Sequence, residues 1–455
     1  MTQYGDLSHA AAVGPVWSIP RDFTERNCLL KSHAIQRRPV RLNTALGVLP
    51  PKVPSVCQLE IWDLPRVCCA ILAVRCGWMN PTARHPNFGA RLFSFLSATY
   101  DSRIDRERRF RMAQSLAPKA PFAAPTIDRL SIRVVVDSSY DLFAPKQEHA
   151  HVSIEQFGRT PGRQMSTLAC EWGLSLHLAS EKDGAKAQHM LDFGYTPEII
   201  NRNFHLLNID PAKIDGLILS HAHRDHYGGL SGFVEHYRGD MPSELALYVG
   251  GEEAFREKWV GKPEAPISWG LVDRVILRAH EVSTQCCPEP HDFGQAFTTG
   301  FIPRQSFETV SGGSMVLEDD VSYSHFTDAE LAGRLVKDLH PDEHATCYII
   351  QGKGLVVITS CGHVGLINTI KAAMSVSGVS KLHAVIGGFH LGPAPLDYID
   401  YTIDELAVLE PDAVLPMHCS GTNFIDAMQR RMPDELVTST VGARFTFGGS
   451  PPRWA

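Results

Sequence analysis

Hydrophobic and polar positions follow a regular pattern from about residue 128 onward. Residues 130–139, LSIRVVVDSS, form a run rich in β-branched residues, which predicts a buried strand. Residues 174–194 predict a strand, a turn and a second strand that closes on Asp192. Residues 197–214 place apolar side chains at helical spacing and then turn. The pattern therefore predicts that strands and helices are mixed in this part of the chain.

The same pattern continues downstream, where short apolar segments predict further strands and amphipathic segments predict helices. The predicted strands are 215–220, 245–250, 273–279, 347–360, 383–389 and 412–417, and the predicted helices are 228–239, 365–376 and 398–411. Tight loops join several strands to the helices that follow them. This mixture predicts one domain of α/β (α+β) class over residues 128–450.

Residues 1–111 lack this order. They contain scattered prolines, a charged run and one apolar segment at 65–74 that would suit a buried strand. Residues 112–127, MAQSLAPKAPFAAPTI, are rich in proline and alanine, which predicts an extended linker. We expect Met112 to be the real or an alternative start, with residues 1–111 a disordered extension or a start-site artefact. The mass of the native protein would test this expectation.

Composition limits the classes of function. The chain has 455 residues, 44% of them hydrophobic, which is enough for at least one large core. Its formal net charge of -7 favours no nucleic-acid partner, because such partners require a basic surface. An apolar run of about 18 residues and a signal-peptide pattern are both missing from the sequence, so we expect no membrane partner and a cytoplasmic location. The 11 cysteines lack regular spacing, which favours reduced thiols. These properties favour a small-molecule substrate and leave the oligomeric state open.

A cluster of metal-binding residue types follows the predicted strand at 215–220. The segment LILSHAHRDHYGGL places His221, His223, Asp225 and His226 within six positions. On an extended chain His221 and His223 point to the same side, because alternate side chains do. Asp225 and His226 come at the turn into the next helix and can reach an adjacent point. Imidazole and carboxylate groups suit zinc, iron or manganese, so the cluster predicts two cations side by side.

Three more histidines stand at the ends of predicted strands. His363 follows the strand in GLVVITSCGHVG, His390 follows the strand in AVIGGFHLG, and His418 follows the strand in AVLPMHCSG. Each lies in a loop of small residues after an apolar run. Two metal ions need more ligands than the first cluster supplies, and ligands from several strand ends on one sheet edge would complete a binuclear site.

The motif SHAHRDHYGGL resembles the HxHxDH signature of the metallo-β-lactamase fold superfamily. The segments CEWGLSLHL, DFG, TTGFIPRQSFE, VIGGFHL and PMHCSG occur in the order typical of one branch, the dihydropterin–ribofuranosylaminobenzene-phosphate synthase-like proteins. The resemblance covers about residues 128 to 450. It implies an αββα sandwich with two divalent metal ions at one edge, zinc first among the candidates and manganese or iron as alternatives.

Carried over by position, the resemblance implies two ligand sets. His221, His223 and His363 would bind the first ion, and Asp225, His226 and His418 the second. Many relatives bridge the ions with an aspartate at the end of the strand that here reads GGFH, whereas this chain has His390, which the resemblance leaves as a ligand, a proton donor or a substrate contact. Asp192 matches a buried carboxylate that supports a metal-binding histidine without contacting the metal itself.

Other residues receive weaker roles. Arg304 and Glu308 are candidates for contacting an anionic or amine-bearing substrate, with a structural ion pair as the alternative. Cys361 lies near His363 and is interpreted as a packed thiol rather than a nucleophile.

The resemblance implies a metal-dependent hydrolase. In such a site metal-bound hydroxide attacks an ester, a lactone or a phosphoester, and Asp225 orients the water or accepts its proton. Two alternatives stay open: a synthase-like transferase, in which the ions position a pyrophosphate-bearing pterin, and a non-catalytic metal-binding sensor. His223 argues against the iron-containing, oxygen-reducing relatives, which have glutamate at that position.

Overall fold

The computed structural model describes residues 122–157, 166–318 and 334–449, and two short strands that precede them, β1 (Leu59–Glu60) and β2 (Ala73–Val74). The chain divides into two compact units, 1–102 and 103–455. In the first unit β1 pairs with β2 in antiparallel fashion. The expected extension and the apolar segment at 65–74 lie outside the described residues, apart from these strands.

The strands of the second unit are β3 (Thr126–Ile127), β4 (Arg129–Val136), β5 (Ser153–Glu155), β6 (Ser175–Lys182), β7 (Ala185–Leu191), β8 (Gly216–Leu219), β9 (Leu245–Val249), β10 (Lys258–Lys262), β11 (Ala265–Gly270), β12 (Val282–Cys286), β13 (His291–Asp292), β14 (Phe297–Thr298), β15 (Met315–Leu317), β16 (Leu335–Lys337), β17 (Thr346–Ile350), β18 (Gly354–Thr359), β19 (Leu382–Gly388), β20 (Ala413–Met417) and β21 (Arg444–Phe447). The helices are α1 (Pro197–Leu206), α2 (Arg224–Tyr227), α3 (Leu230–Tyr237), α4 (Arg274–Ala279), α5 (Leu366–Ser377), α6 (Leu396–Leu409) and α7 (Thr422–Arg431).

Two large sheets organise the second unit. One has the strand order β12-β9-β8-β7-β6-β4-β21-β5. The other has the order β13-β14-β17-β18-β19-β20, with β3 paired to β17. A smaller sheet, β11-β10-β15-β16, comes from the segment between β9 and β17. Strands β7, β8 and β9 run parallel, as do β18, β19 and β20, so each set ends at a common edge of its sheet.

The main hydrophobic core lies between the two large sheets. Leu130, Ile132 and Val134 alternate along β4 and belong to the same buried cluster as Ile358 of β18 and Ile386 of β19. Burying each of these side chains is worth about 1.5–3 kcal/mol. The β-branched run at 130–139 therefore forms the buried strand that its pattern predicts.

Helices cover the outer face of each sheet. Phe204 of α1 and Phe233 of α3 pack over the first sheet. Ile370 of α5, Ile403 of α6 and Phe424 of α7 pack over the second. The four layers are helix, sheet, sheet, helix, so the predicted α/β class and αββα sandwich are confirmed. Among the described residues, none of the helices combines the length and the apolar character needed to cross a membrane.

One predicted strand is wrong. In the segment 273–279, residues 274–279 form helix α4 rather than a strand. The Asp273 carboxylate accepts hydrogen bonds from the backbone N–H groups of Val275, at 2.7 Å, and Ile276, at 3.4 Å, which is the usual way to cap a helix. Leu277 is buried while Val275 is exposed, so the short apolar run has a helical face that periodicity over seven residues does not reveal.

Candidate metal centre

Four loops bring the candidate ligands to one edge of the sandwich. The loop after β8 contains the HxHxDH motif, and the loops after β18, β19 and β20 contain His363, His390 and His418. Because β18, β19 and β20 are adjacent and parallel, their carboxyl ends meet. The sequence pattern of strand followed by histidine therefore becomes a spatial cluster.

His221, His223 and His363 form one group. Each offers a ring nitrogen within 4.8 Å of those of the other two, and all three side chains are buried. The second nitrogen of each ring is occupied: His221 Nδ1 lies 3.0 Å from Ser220 Oγ, and His363 Nδ1 lies 3.2 Å from the Ser311 carbonyl. His223 Nε2 lies 2.8 Å from Ser314 Oγ. One nitrogen of each ring is therefore left for an ion.

Asp225, His226 and His418 lie beside this group. Asp225 Oδ2 is 3.8 Å from His226 Nε2 and 3.3 Å from His418 Nε2. The rings of His226 and His221 are 4.3 Å apart between centroids. The structure thus places the six histidine and aspartate side chains of both predicted ligand sets in one buried cluster. Their roles as ligands remain predictions.

Buried hydrogen bonds orient these side chains. Asp192 is fully buried, and its carboxylate accepts from His226 Nδ1 at 2.7 Å and from the backbone N–H of Ser220 at 2.8 Å. Glu343 accepts from the backbone N–H of His363 at 2.8 Å. Asp137 accepts from the backbone N–H of His418 at 2.9 Å. Asp192 lies where the sequence places a supporting carboxylate, whereas Glu343 and Asp137 were not predicted.

The residues fit divalent metal ions. His221 Nε2, His363 Nε2 and Asp225 Oδ1 are buried and have no hydrogen-bond partner in the described part of the chain. A buried polar atom without a partner costs about 1–3 kcal/mol, and an ion that accepts lone pairs from all of them removes that cost. Histidine nitrogens and one carboxylate are also the donor set that zinc, iron or manganese takes.

The protonation states of the two predicted ligand sets differ. Burial, together with the neighbouring histidines, holds the pKa values of His221 and His363 well below the usual range, so both rings are neutral and ready to bind an ion. Burial acts to lower the pKa of His418, but Cys419 and Asp225 outweigh it and raise the pKa to about 9. Burial acts to raise the pKa of Asp225, and His226 and His418 outweigh it, so this carboxylate is ionised.

This difference predicts that the two metal positions respond differently to pH. His418 is protonated below about pH 9 and must lose a proton to bind an ion, so affinity at the second position should rise by at least about tenfold per pH unit across the neutral range. Affinity at the first position should change little between pH 7 and 9, because its rings are already neutral. Cobalt titrations between pH 6 and 9 would measure both. Equal slopes for the two ions would contradict the prediction.

Sequence reasoning missed a second buried cluster beside the first. His340 stacks on His363 with ring centroids 4.2 Å apart, and its ring nitrogens have no hydrogen-bond partner among the described residues. Asp338 lies in one candidate ligand group with His340 and His223. Lys258 is buried and its Nζ lies 2.8 Å from Asp338 Oδ2 and 3.4 Å from Asp342 Oδ1. The segment DLHPDEH is dense in metal-binding residue types, and this density is the signal that could have revealed it.

His390 lies at the rim of the cluster. Its ring is 4.3 Å from that of His363, it is only partly buried, and its Nδ1 has no hydrogen-bond partner in the part of the chain that the structure describes. The neighbouring Cys419 and Glu343 outweigh the effect of burial and raise its pKa. A partly exposed histidine with a raised pKa is suited to donating a proton, which is one of the roles that the sequence left open.

Two partly exposed aromatic side chains lie against the cluster. The ring of Trp172 is 4.8 Å from that of His418 and the side chain is 56% exposed. Trp269 of β11 is half-buried, with its ring 4.9 Å from that of His223. The two tryptophans thus lie against histidines of different ligand sets, on the solvent side of the cluster. A planar or apolar part of a substrate could pack against them.

Arg304 and Glu308, the predicted substrate contacts, lie in a loop before β15. Arg304 is half-buried. Glu308 is buried, and its Oε2 accepts from the backbone N–H of Asn368 at 3.0 Å, in the first turn of α5. A Cβ on Gly365, the residue before that helix, would meet this Glu308 oxygen at 2.3 Å. Glu308 therefore helps to hold the start of the helix that follows His363.

Glu308→Ala is expected to destabilise the fold by about 1–3 kcal/mol, because it leaves buried N–H groups of α5 without an acceptor. Urea unfolding of the metal-free protein would measure this change. Glu318→Ala, at a nearby exposed position, is the matched control. A Glu308→Ala protein with unchanged stability and a raised KM would instead support the substrate-contact interpretation.

Comparisons with known proteins agree with this architecture. A family model described as the metallo-beta-lactamase superfamily matches residues 186–268. A 7,8-dihydropterin-6-methyl-4-(beta-D-ribofuranosyl)-aminobenzene-5'-phosphate synthase from Methanocaldococcus jannaschii is 28% identical over 283 residues, which cover 60% of this chain and 90% of that protein. An uncharacterised protein from the same organism is 24% identical over 233 residues, covering 51% of this chain and 78% of that protein. A crystal structure of a metal-dependent hydrolase of the beta-lactamase superfamily aligns with a TM-score of 0.51 and 21% identity, covering 69% of this chain and 98% of that one.

Proposed function

We propose that this chain, which has a metallo-beta-lactamase superfamily domain and the fold of that superfamily, is a binuclear metal-dependent hydrolase of an ester, a lactone or a phosphoester. The observation that supports the proposal most is the convergence of six buried ligand-type side chains, from three of the loops at one sheet edge, with donor atoms that lack hydrogen-bond partners among the described residues. In this proposal His221, His223 and His363 hold one ion, and Asp225, His226 and His418 hold the other. Zinc is the proposed metal.

Bound divalent ions would supply a nucleophile from water near neutral pH and would polarise the attacked oxygen. The chain supplies the proton transfers. Asp225 Oδ1 is buried and without a partner among the described residues, so this ionised carboxylate can orient the attacking water and accept its proton. His390, at the rim, can then protonate the leaving group.

The two tryptophans beside the cluster would hold the substrate. Trp172→Ala is expected to raise KM several-fold, with a smaller change in kcat, because a ring that is 56% exposed contributes contact area rather than chemistry. Steady-state kinetics on the preferred ester or lactone would measure this. Phe143→Ala, at a position 85% exposed, is the control for removing a surface ring. An unchanged KM for Trp172→Ala would place the substrate elsewhere.

The synthase from M. jannaschii supports a second candidate, a transferase. The match covers 90% of that protein, so both chains share most of one domain. In this alternative the same ligand residues would position an anionic leaving group, and the two tryptophans would pack against a planar ring. The reaction would join two molecules instead of adding water.

Metal content and reactivity test these proposals together. The full chain, purified without chelator, would be analysed for metal and then assayed against panels of aryl esters, lactones and phosphoesters. The hydrolase proposal expects about two ions per chain and hydrolysis that a chelator abolishes and zinc restores. Two ions with no hydrolysis, and product only from a pterin and an aminobenzene phosphate together, would favour the transferase. Bound ions without either reaction would favour a metal-binding sensor.

A further inference from the structure

Cys361 lies inside the candidate metal centre, two residues before His363. Its side chain is 2% exposed, and its Sγ is 3.3 Å from His226 Nε2. Cys361 also belongs to three candidate ligand groups: one with His221 and His226, one with His363 and His390, and one with His418 and Cys419. Donor atoms from both predicted ligand sets therefore lie within 4.8 Å of the Cys361 sulfur.

We propose that the thiolate of Cys361 is a ligand at the second metal position, together with Asp225, His226 and His418. This inference rests on the proposed metal binding. It gives Cys361 a chemical role in place of the packed thiol that the sequence indicates. The ligand set at the second position would then be one thiolate, one carboxylate and two imidazoles.

The distances suit four ligands around one ion. Bonds of about 2.0 Å to nitrogen and about 2.3 Å to sulfur put the two atoms about 3.5 Å apart across a tetrahedral zinc ion. The distance from His226 Nε2 to Cys361 Sγ is 3.3 Å. Asp225 Oδ2 is 3.3 Å from His418 Nε2 and 3.8 Å from His226 Nε2. These three pairs of donor atoms therefore have separations close to those expected for two ligands on one ion.

The charge of the buried cluster gives an independent reason to expect a thiolate ligand. Two divalent ions bring four positive charges into a buried cluster in which Asp225 is the one carboxylate among the six proposed ligands. Asp338 and Asp342 are paired with Lys258, and Asp192 is paired with the ring of His226. Buried charge without compensation is costly, and a thiolate would supply a second negative ligand. Cys361 would lose its thiol proton as the ion binds, so binding at this position would release that proton.

Cys419 provides a matched control in the same environment. Its Sγ is 3.3 Å from Cys361 Sγ, and it accepts a hydrogen bond from the backbone N–H of His390 at 3.3 Å. Cys419 is also buried, and in the proposal it stays outside the ligand set of the ion. Removing either thiol changes the cluster by one sulfur atom, yet only one removal should change the bonds to the metal.

Cobalt spectroscopy on the full chain tests the proposal. Cobalt(II) bound to a thiolate gives an intense near-ultraviolet charge-transfer band that nitrogen and oxygen ligands do not give. We expect wild type and Cys419→Ser to show this band, and Cys361→Ser to lose it while keeping the first cobalt ion. Circular dichroism would confirm that each variant is folded.

The outcomes separate the inference from the proposed function. If the wild type binds two cobalt ions and shows no such band, the thiolate ligand is wrong while binuclear metal binding stands. If the wild type binds no cobalt, both fail. A band that persists in Cys361→Ser, or that disappears in Cys419→Ser, would also overturn the assignment. The wild-type spectrum and the Cys419→Ser comparison remain decisive even if Cys361→Ser does not fold.

Discussion

Replacing His223 with alanine is expected to remove the first metal ion and hydrolytic activity together. His223 is one of three rings whose nitrogens lie within 4.8 Å of one another, and its other nitrogen is already used by Ser314. Losing a ligand should cost more metal affinity than the roughly 10–100-fold loss caused by mutating a residue behind a ligand. Without the ion, water is not activated near neutral pH, so kcat should fall to background.

Metal content per chain and the metal-dependent rise in unfolding temperature would measure this effect. A bound ion stabilises only the folded state, so the variant should lose the stabilisation that added zinc gives the wild type. His205→Ala is the matched control, because His205 is exposed on α1, away from the strand ends. A His223→Ala protein that retained both ions and full activity would refute the ligand assignment.

The main parts of the fold and the centre of the site follow from the sequence because both depend on local patterns. An apolar strand such as β8 needs no partner to be recognised, and the histidines after β8, β18 and β20 follow such strands directly. The hydrophobic pattern predicts the wrong element where a segment is only a few residues long. At 273–279 the Asp273 cap decides between helix and strand, and a run of seven residues contains too few turns to show a helical period.

Contacts between residues that are far apart in the sequence could not be predicted from local patterns. Glu343 supports His363 from a loop 20 residues earlier, and Lys258 reaches Asp342 across 84 residues. No periodicity connects these positions, since their proximity depends on how the segment between β9 and β17 folds back over the sheet edge. Glu308 illustrates the same limit, because its polar character in the sequence does not reveal that it is buried at the start of α5.

Asp192 determines which nitrogen of His226 can bind an ion. Its Oδ2 lies 2.7 Å from His226 Nδ1, and a carboxylate can only accept, so the proton is on Nδ1 and the lone pair is on Nε2. Nε2 is the nitrogen that lies near Asp225 Oδ2. A substitution that keeps the ring in place but moves its proton to the other nitrogen would therefore separate structural support from control of the tautomer.

Asp192→Asn makes this separation. Asparagine tolerates the positive φ of 58° at this position, and its amide oxygen can still accept from the backbone N–H of Ser220. Its amide N–H would donate to His226 Nδ1 and move the ring proton to Nε2, where it blocks an ion. We expect second-site affinity to fall about 10–100-fold with only a small loss of stability, whereas Asp192→Ala should lose both. Cobalt titration and urea unfolding of the two variants would measure this, and equal affinity in wild type and Asp192→Asn would show that Asp192 has a structural role alone.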